Sequence, residues 1–326
     1  MMYLQVLGGF VVLLVGAELL VRGAVTIAQR VGISPLVIGM TVIALGTSAP
    51  EFVVSINAAL SGAPGLAIGN IVGSNIANVW LILGITCLVT PILAQPDALL
   101  RDSVILLGGS VVFSFLCAWG DLDRLAGGIL MVGFIAFLAA SYWRGTTNEE
   151  VAEETAEEVE DMATFGSSLP KSLAAVGLGI VGLAWGSDLL VDGGVVIART
   201  MGVSEEVIGL TLFAFGTSLP ELAASVVAAY RGHPDVAIGN VVGSNLFNML
   251  GVGGAAALVA TLPVPDQIVR IDIWIMLIAT VMLLPVLLGK ARLTRGMAVV
   301  YTALYLIYIG AQAYGMDKLL GPTTTG

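Results

Sequence analysis

Two short segments of the sequence place a glutamate within an otherwise apolar stretch, beside hydroxyl side chains and a proline. They read GTSAPE, which ends at Glu51, and GTSLPE, which ends at Glu221. A carboxylate in an apolar environment is costly unless it faces an opposite charge or water, and neither stretch contains a basic residue. A bound cation is therefore the expected partner of both glutamates.

The proline of each segment is expected to add oxygen atoms to the same place. Inside a helix, Pro50 or Pro220 removes one backbone hydrogen bond and displaces the carbonyl four residues earlier. Thr47, Ser48 and Glu51 then crowd one helix face, since they stand at positions i, i+1 and i+4. The alternative is a helix kink whose hydroxyls bond back to the backbone. The occurrence of the pattern in two copies favours a binding site instead.

A second pair of segments carries amide side chains at a regular spacing. Asn70, Ser74 and Asn78 recur every four residues, which makes a polar stripe along one helix face. The same stripe recurs later in the chain, at Asn240, Ser244 and Asn248. Hydrogen bonding between helices and ion binding are both compatible with this pattern. The ligand candidates are Ser74, Asn78, Ser244 and Asn248, whereas Asn70 and Asn240 could equally hold the ends of broken helices.

The composition indicates where such a site would lie. Of the 326 residues, 57% are hydrophobic and only 11% are charged, and the mean hydropathy is +0.99. These values exclude a soluble globular protein, a disordered protein and a nucleic-acid-binding protein. Because a membrane-spanning helix needs about 20 apolar residues, the chain has room for about ten spans. The fold class predicted is an all-α polytopic membrane protein.

Ten apolar stretches bounded by proline, glycine and charge are predicted to span the membrane. An acidic segment, 149–161, separates the fifth from the sixth and holds eight of the 23 acidic residues. We therefore divide the chain into a first five-helix repeat (1–145), an acidic linker (146–168) and a second five-helix repeat (169–326). The predicted spans are 3–29, 35–60, 65–90, 99–119, 124–144, 169–199, 205–230, 235–260, 271–289 and 297–316.

An internal duplication predicts how the two halves are arranged. Shifted by 170 residues, positions 16–84 align with 186–254 without a gap, with 35 identities in 69 positions. The copies are offset by five spans, an odd number, so they must lie upside down relative to each other, as in many secondary transporters. With the N-terminus outside, eight basic residues lie at inner ends and four at outer ends. This bias predicts that both termini are outside and that the acidic linker is cytoplasmic.

The predicted site consists of oxygen ligands alone. Around the pseudo-twofold axis it combines two carboxylates, two amides, at least four hydroxyls and freed carbonyls, which suit Ca²⁺ and Na⁺ and do not suit Zn²⁺. Two carboxylates balance one Ca²⁺. An intramembrane hydrolase that uses Ser48 or Ser218 would lack a general base, and two inverted copies suit alternating access better than a passive channel.

The paired motifs GTSAPE…GNIVGSNIAN and GTSLPE…GNVVGSNLFN resemble the alpha repeats of the cation/calcium exchanger superfamily, specifically its prokaryotic sodium/calcium exchanger-like branch. The resemblance implies ten helices in two inverted five-helix halves, with ions bound in the middle of spans 2, 3, 7 and 8. It also implies that spans 1 and 6 slide across the rest. The ligands it implies, through backbone carbonyls at Ala44 and Ala214 and through side chains elsewhere, are Ala44, Thr47, Ser48, Glu51, Ser74, Asn78, Ala214, Thr217, Ser218, Glu221, Ser244 and Asn248.

The function expected is a secondary active antiporter that exchanges Ca²⁺ for Na⁺ by alternating access at a shared central site. The alternative is a Ca²⁺/H⁺ antiporter of the same fold. Potassium-dependent members carry Asp where this sequence has Asn248, which argues against potassium dependence. We expect no enzymatic activity and no cofactor. The expected partners are Ca²⁺, Na⁺ and the lipid of a prokaryotic plasma membrane, with no nucleic acid and no obligate protein partner.

Overall fold

The structure is a computed structural model, and it describes residues 2–30, 35–91, 96–147, 169–200, 214–288 and 292–314. The acidic segment 149–161 and the beginning of the predicted seventh span lie outside these residues. Within them the chain is nearly all-helical, and an isolated antiparallel bridge between Leu122 and Leu262 joins two interhelical loops.

Helices occupy all ten predicted positions in the described part of the chain. Six of them are long and apolar enough to cross a membrane, or seven if the two pieces of α2 count as one span, so a count of ten spans stays a prediction. The helices are α1 (Met2–Arg30), α2 (35–60, broken at Ser48), α3 (Pro64–Val89), α4 (Pro96–Trp119), α5 (Arg124–Thr147), α6 (Leu169–Thr200), α7 (214–230, broken at Ser218), α8 (Pro234–Val259), α9 (Ile268–Leu287) and α10 (Arg295–Tyr314).

The first helices of the two repeats, α1 and α6, pack against each other in opposite directions. Gly9 of α1 lies against Gly186, Gly16 lies against Leu183, and Gly23 lies against Ser172. A β-carbon at Gly16 would come within 2.7 Å of the Leu183 backbone nitrogen, so glycine is what allows the two backbones to approach. Because equivalent helices run antiparallel, the packing agrees with the inverted arrangement that the duplication predicts.

The helices differ in how far they are enclosed. In α3 and α8, 83% and 89% of the spanning residues are buried, against 28–39% in α1, α5, α6 and α9. The two glycine-rich and amide-rich helices therefore form the centre, and the others present large apolar side chains outward. Trp119 and Trp143, near the ends of α4 and α5, are 81% and 71% exposed, as is typical of aromatic side chains at a membrane interface.

Both α2 and α7 are interrupted at the serine of the duplicated motif. Ser48 and Ser218 leave the helical conformation with nearly equal angles, φ −85° and ψ 9° for Ser48 and φ −87° and ψ 1° for Ser218. In α2 the pieces on either side differ in direction by 53°. Each motif proline lies in the first turn of the second piece, where its missing N–H is not needed. The proline therefore begins a new half-helix and does not merely kink a continuous one.

Candidate ion-binding site

The two helix breaks meet the amide stripes of α3 and α8 in the centre of the molecule. Glu51 and Glu221 are each 1% exposed, although they begin half-helices from opposite repeats. The structure also buries the polar side chains around them: Thr47, Ser48, Ser74, Asn78, Ser218, Ser244 and Asn248.

Hydrogen bonds between the repeats join these side chains across the centre. The Ser48 hydroxyl of α2 donates to Oε1 of Glu221 in α7 at 2.7 Å, and it lies 3.0 Å from the Ser244 hydroxyl of α8. Thr47 Oγ1 lies 3.2 Å from the side-chain oxygen of Asn240. The site is therefore one cluster built by both repeats.

Many of the buried oxygens in this cluster have no hydrogen-bond partner among the residues that the structure describes. Both carboxylate oxygens of Glu51 and Oε2 of Glu221 belong to this group. Buried polar atoms in native proteins are nearly always satisfied by protein, water or an ion, so several unsatisfied oxygens in one place point to a bound cation. The other unpartnered oxygens in the cluster are those of the side chains of Asn78, Thr217, Ser218 and Asn248.

The first amide of each stripe holds the half-helix that carries the glutamate. Asn70 Nδ2 donates to the Glu51 carbonyl at 3.2 Å and to the Ser55 hydroxyl at 2.9 Å. In the second repeat, Asn240 Nδ2 donates in the same way to the Glu221 carbonyl at 3.3 Å and to Ser225 at 3.0 Å. This geometry matches the helix-holding alternative for Asn70 and Asn240. It fixes the two glutamates relative to α3 and α8.

Backbone carbonyls before both breaks accept hydrogen bonds from within the protein. The Ala44 carbonyl accepts from the Ser48 N–H at 3.0 Å, and Ala214 begins the described part of α7. The Gly216 carbonyl, freed by the proline, accepts from the Ser187 hydroxyl of α6 at 2.6 Å. The equivalent of Ser187 is Ala17, which has no hydroxyl, so this contact between α6 and α7 has no counterpart in the first repeat.

Two further amides, which do not belong to the polar stripes, lie beside the site. Asn75 and Asn245 are each 1% exposed and are related by the 170-residue shift. Asn245 Oδ1 accepts from Asn78 Nδ2 at 2.9 Å, which places it in direct contact with a predicted ligand. Their identity in both copies of the GSN sequence is the signal that could have identified them.

A cavity of about 510 Å³ lies beside the helix breaks. Its walls come from α6 and from both broken helices, and they include Gly46, Gly216 and Thr217 next to the cluster and Asp188 and Asp192 on α6. The two aspartates are exposed. Among the described residues, neither glutamate of the site forms an ion pair with a basic side chain, whereas Glu18 and Asp266 do.

The nearly all-helical fold with its buried, oxygen-lined centre is that of a multispan membrane transporter. The chain belongs to the sodium/calcium exchanger protein family, which matches residues 1–143 and 171–314. This membership confirms the resemblance seen in the paired motifs and the prediction of a polytopic membrane protein.

Similar proteins cover nearly the whole chain. CaxA of Alkalimonas amylolytica is 37% identical over 94% of this chain and 96% of its own length. The sodium/calcium exchanger MaX1 of Methanosarcina acetivorans is 30% identical over 94% of this chain and 97% of its own. The solved structure of the sodium-calcium exchanger NCX_Mj superposes with a TM-score of 0.82 at 31% identity, covering 94% of this chain and 97% of that one.

Proposed function

We propose that this protein exchanges Na⁺ for Ca²⁺ across the membrane through the buried oxygen cluster between the two repeats. The observation that carries the proposal concerns the two buried carboxylates, Glu51 and Glu221. Three of their four oxygens have no hydrogen-bond partner in the described part of the chain. Ca²⁺ prefers six to eight oxygen ligands that include carboxylates, and the two charges balance it. Na⁺ can use the same oxygens, so the two ions compete for one site.

The site is proposed to face the two sides of the membrane in turn. The cavity lined by Asp188 gives access from one side. The ion pairs of Glu18 with Arg22 and Arg231 close the other. In the orientation predicted from basic residues, the second half of α2 is its outer half, so the cavity opens outward. Both termini then lie outside, and the acidic linker lies in the cytoplasm of a prokaryotic cell.

Sodium is the proposed coupling ion. Asn78 and Asn248 contribute neutral amides to the cluster, so only the two glutamates could take up protons there. Membership of the sodium/calcium exchanger family supports the same choice. Na⁺ that moves inward down its gradient would drive Ca²⁺ outward.

The test is Ca²⁺ transport by the purified protein in proteoliposomes. With a protonophore present, K⁺ absent and only an Na⁺ gradient imposed, we expect radiolabelled Ca²⁺ to move against the direction of Na⁺ flow. Protein-free liposomes are the control. If Ca²⁺ fails to move, and a pH gradient without Na⁺ moves it, the sodium proposal is wrong and the chain is a Ca²⁺/H⁺ antiporter.

A further inference from the structure

We propose that Asn245 is a positioning residue that fixes the direction of the Asn78 amide, so that its oxygen faces the ion. The inference rests on the proposed function, because it takes Asn78 as an ion ligand. An asparagine amide has an oxygen end that binds a cation and an NH₂ end that does not. A ligand of this type therefore needs a neighbour that sets its direction.

Two hydrogen bonds in series supply that neighbour. The Asn75 backbone carbonyl accepts from Asn245 Nδ2 at 3.5 Å. Asn245 Oδ1 in turn accepts from Asn78 Nδ2 at 2.9 Å. Asn75 keeps its own side chain on the helix, where Nδ2 donates to the Ile71 carbonyl at 2.7 Å. Asn75, Asn78 and Asn245 are all 1% exposed, so water does not compete for these bonds.

The direction of the whole series follows from the backbone carbonyl at its start. A carbonyl only accepts, so Asn245 must present its NH₂ group to Asn75 and its oxygen to Asn78. Asn78 must then present its NH₂ group to Asn245. Its oxygen has no partner among the described residues and remains available to a cation. Reversing the Asn78 amide would place two oxygen acceptors, those of Asn78 and Asn245, against each other and turn an NH₂ group towards the ion.

The equivalent bond in the other repeat is not formed. The 170-residue shift relates Asn245 to Asn75 and Asn78 to Asn248. The equivalent bond would therefore run from the Asn248 NH₂ group to the Asn75 side-chain oxygen. However, Asn75 Oδ1 and Asn248 Nδ2 are both without a hydrogen-bond partner in the described structure. The two ligand amides are therefore unequal, since Asn78 is preset and Asn248 is not. The duplicated sequence alone would assign them identical roles.

The experiment compares Asn245→Leu with the twofold-related control Asn75→Leu. Residues that orient metal ligands typically contribute about 10- to 100-fold to affinity, so we expect Asn245→Leu to weaken Ca²⁺ binding about 10-fold and Asn75→Leu to weaken it less. Binding is measured by calorimetry on detergent-purified protein, and monodispersity and thermal melting monitor folding. Asn245→Ser, whose side chain is too short to reach Asn78, is a second variant if the leucine protein aggregates.

A double-mutant cycle separates positioning from a merely structural contribution. Asn78→Asp replaces the amide with a carboxylate whose two oxygens are equivalent, so it needs no neighbour to set its direction. We therefore expect Asn245→Leu to cost much less Ca²⁺ affinity in the Asn78→Asp background than in the parent. An equal loss in both backgrounds, or an equal loss from Asn75→Leu, would overturn the proposal. A different result would overturn the proposed function itself, namely normal Ca²⁺ transport by the Glu51→Gln variant.

Discussion

Glu18 in α1 forms an ion pair with Arg231, which follows α7 in the other repeat. Nε of Arg231 donates to Oε2 of Glu18 at 3.1 Å, and a second guanidinium nitrogen contacts Oε1. Arg22, one helical turn along α1, contacts the same carboxylate. This charged cluster ties the first helix of one repeat to the C-terminal end of the broken helix of the other.

The residues at the equivalent positions of the other repeat cannot form the same cluster. The 170-residue shift relates Glu18 to Asp188 and Arg22 to Asp192, and Arg231 corresponds to Ser61. Two acids and a serine cannot form the same ion pair. Instead, both aspartates line the cavity beside the site. The two related positions thus form an attractive contact on one side and an acidic cavity wall on the other.

We predict that Arg231→Gln increases the population of the state in which the ion site is open to the side of the membrane where Glu18 lies. A partly exposed ion pair contributes about 0.2–1 kcal/mol, so the population of that state should rise by at most about fivefold. Val21 is buried and precedes Arg22 of the cluster. A cysteine introduced by Val21→Cys should then react faster with a membrane-impermeant thiol reagent when Arg231 is replaced by Gln than when it is kept. Arg231→Lys keeps the charge and is the control. Equal reaction rates in the two variants would contradict the prediction.

We predict that Glu51→Gln or Glu221→Gln abolishes Ca²⁺ exchange without preventing membrane insertion. Each change removes half of the negative charge that balances Ca²⁺, whereas a neutral amide is easier to place in the membrane than a carboxylate. The measurement is Ca²⁺ flux in proteoliposomes at matched protein content. Asp266→Asn is the control, since Asp266 is an acid with a 67% exposed side chain. Near-normal flux in either glutamate variant would reject the site.

Deletion of the acidic segment 149–161 should leave transport largely intact. The segment supplies no ligand in the predicted site, and salt screens its charges beyond about 8–10 Å. Ca²⁺ exchange by the deletion protein is measured beside that of the parent, with size-exclusion chromatography as the check on folding. A well-folded deletion protein that no longer transports Ca²⁺ would assign a regulatory role to the linker.

Asn248→Asp should make Ca²⁺ transport more sensitive to pH and admit K⁺ as a further coupling ion. The change adds a third carboxylate to a cluster that already contains two. Repulsion among them favours uptake of a proton or another monovalent cation. Transport is compared between parent and variant over a pH series, with and without K⁺. Unchanged pH and K⁺ dependence would indicate that position 248 lies away from the ions.

The residues of the candidate site could largely be recognised from sequence because each motif is short and occurs twice. Pro50 and Pro220 determine where the helices break, and glutamates inside apolar stretches have few explanations other than a buried site. The spacing of Asn70 and Asn78 on one helix face is equally local. These features depend on the chain within a few residues, so they can be recognised before the fold is known.

The contacts between helices could not be predicted in the same way. Ser48 bonds to a glutamate 173 residues away, and Ser187 bonds to the Gly216 carbonyl from another helix. Such partners depend on how α2, α6 and α7 cross, which no local pattern specifies. The difference between the ligand amides Asn78 and Asn248 is even harder to predict, because their neighbours Asn245 and Asn75 are identical residues in identical GSN sequences. They differ only in the surroundings that the two halves give them.

The glycine-lined packing of α1 against α6 also has a consequence for synthesis in the cell. The face of α1 that carries Gly9, Gly16 and Gly23 has its partner in α6, and the rest of the first repeat is made between them. Until α6 is made, that face can contact only lipid or other helices of the first repeat. The native pair forms after translation has reached the second repeat, so assembly of this transporter is completed late and depends on both halves of the chain.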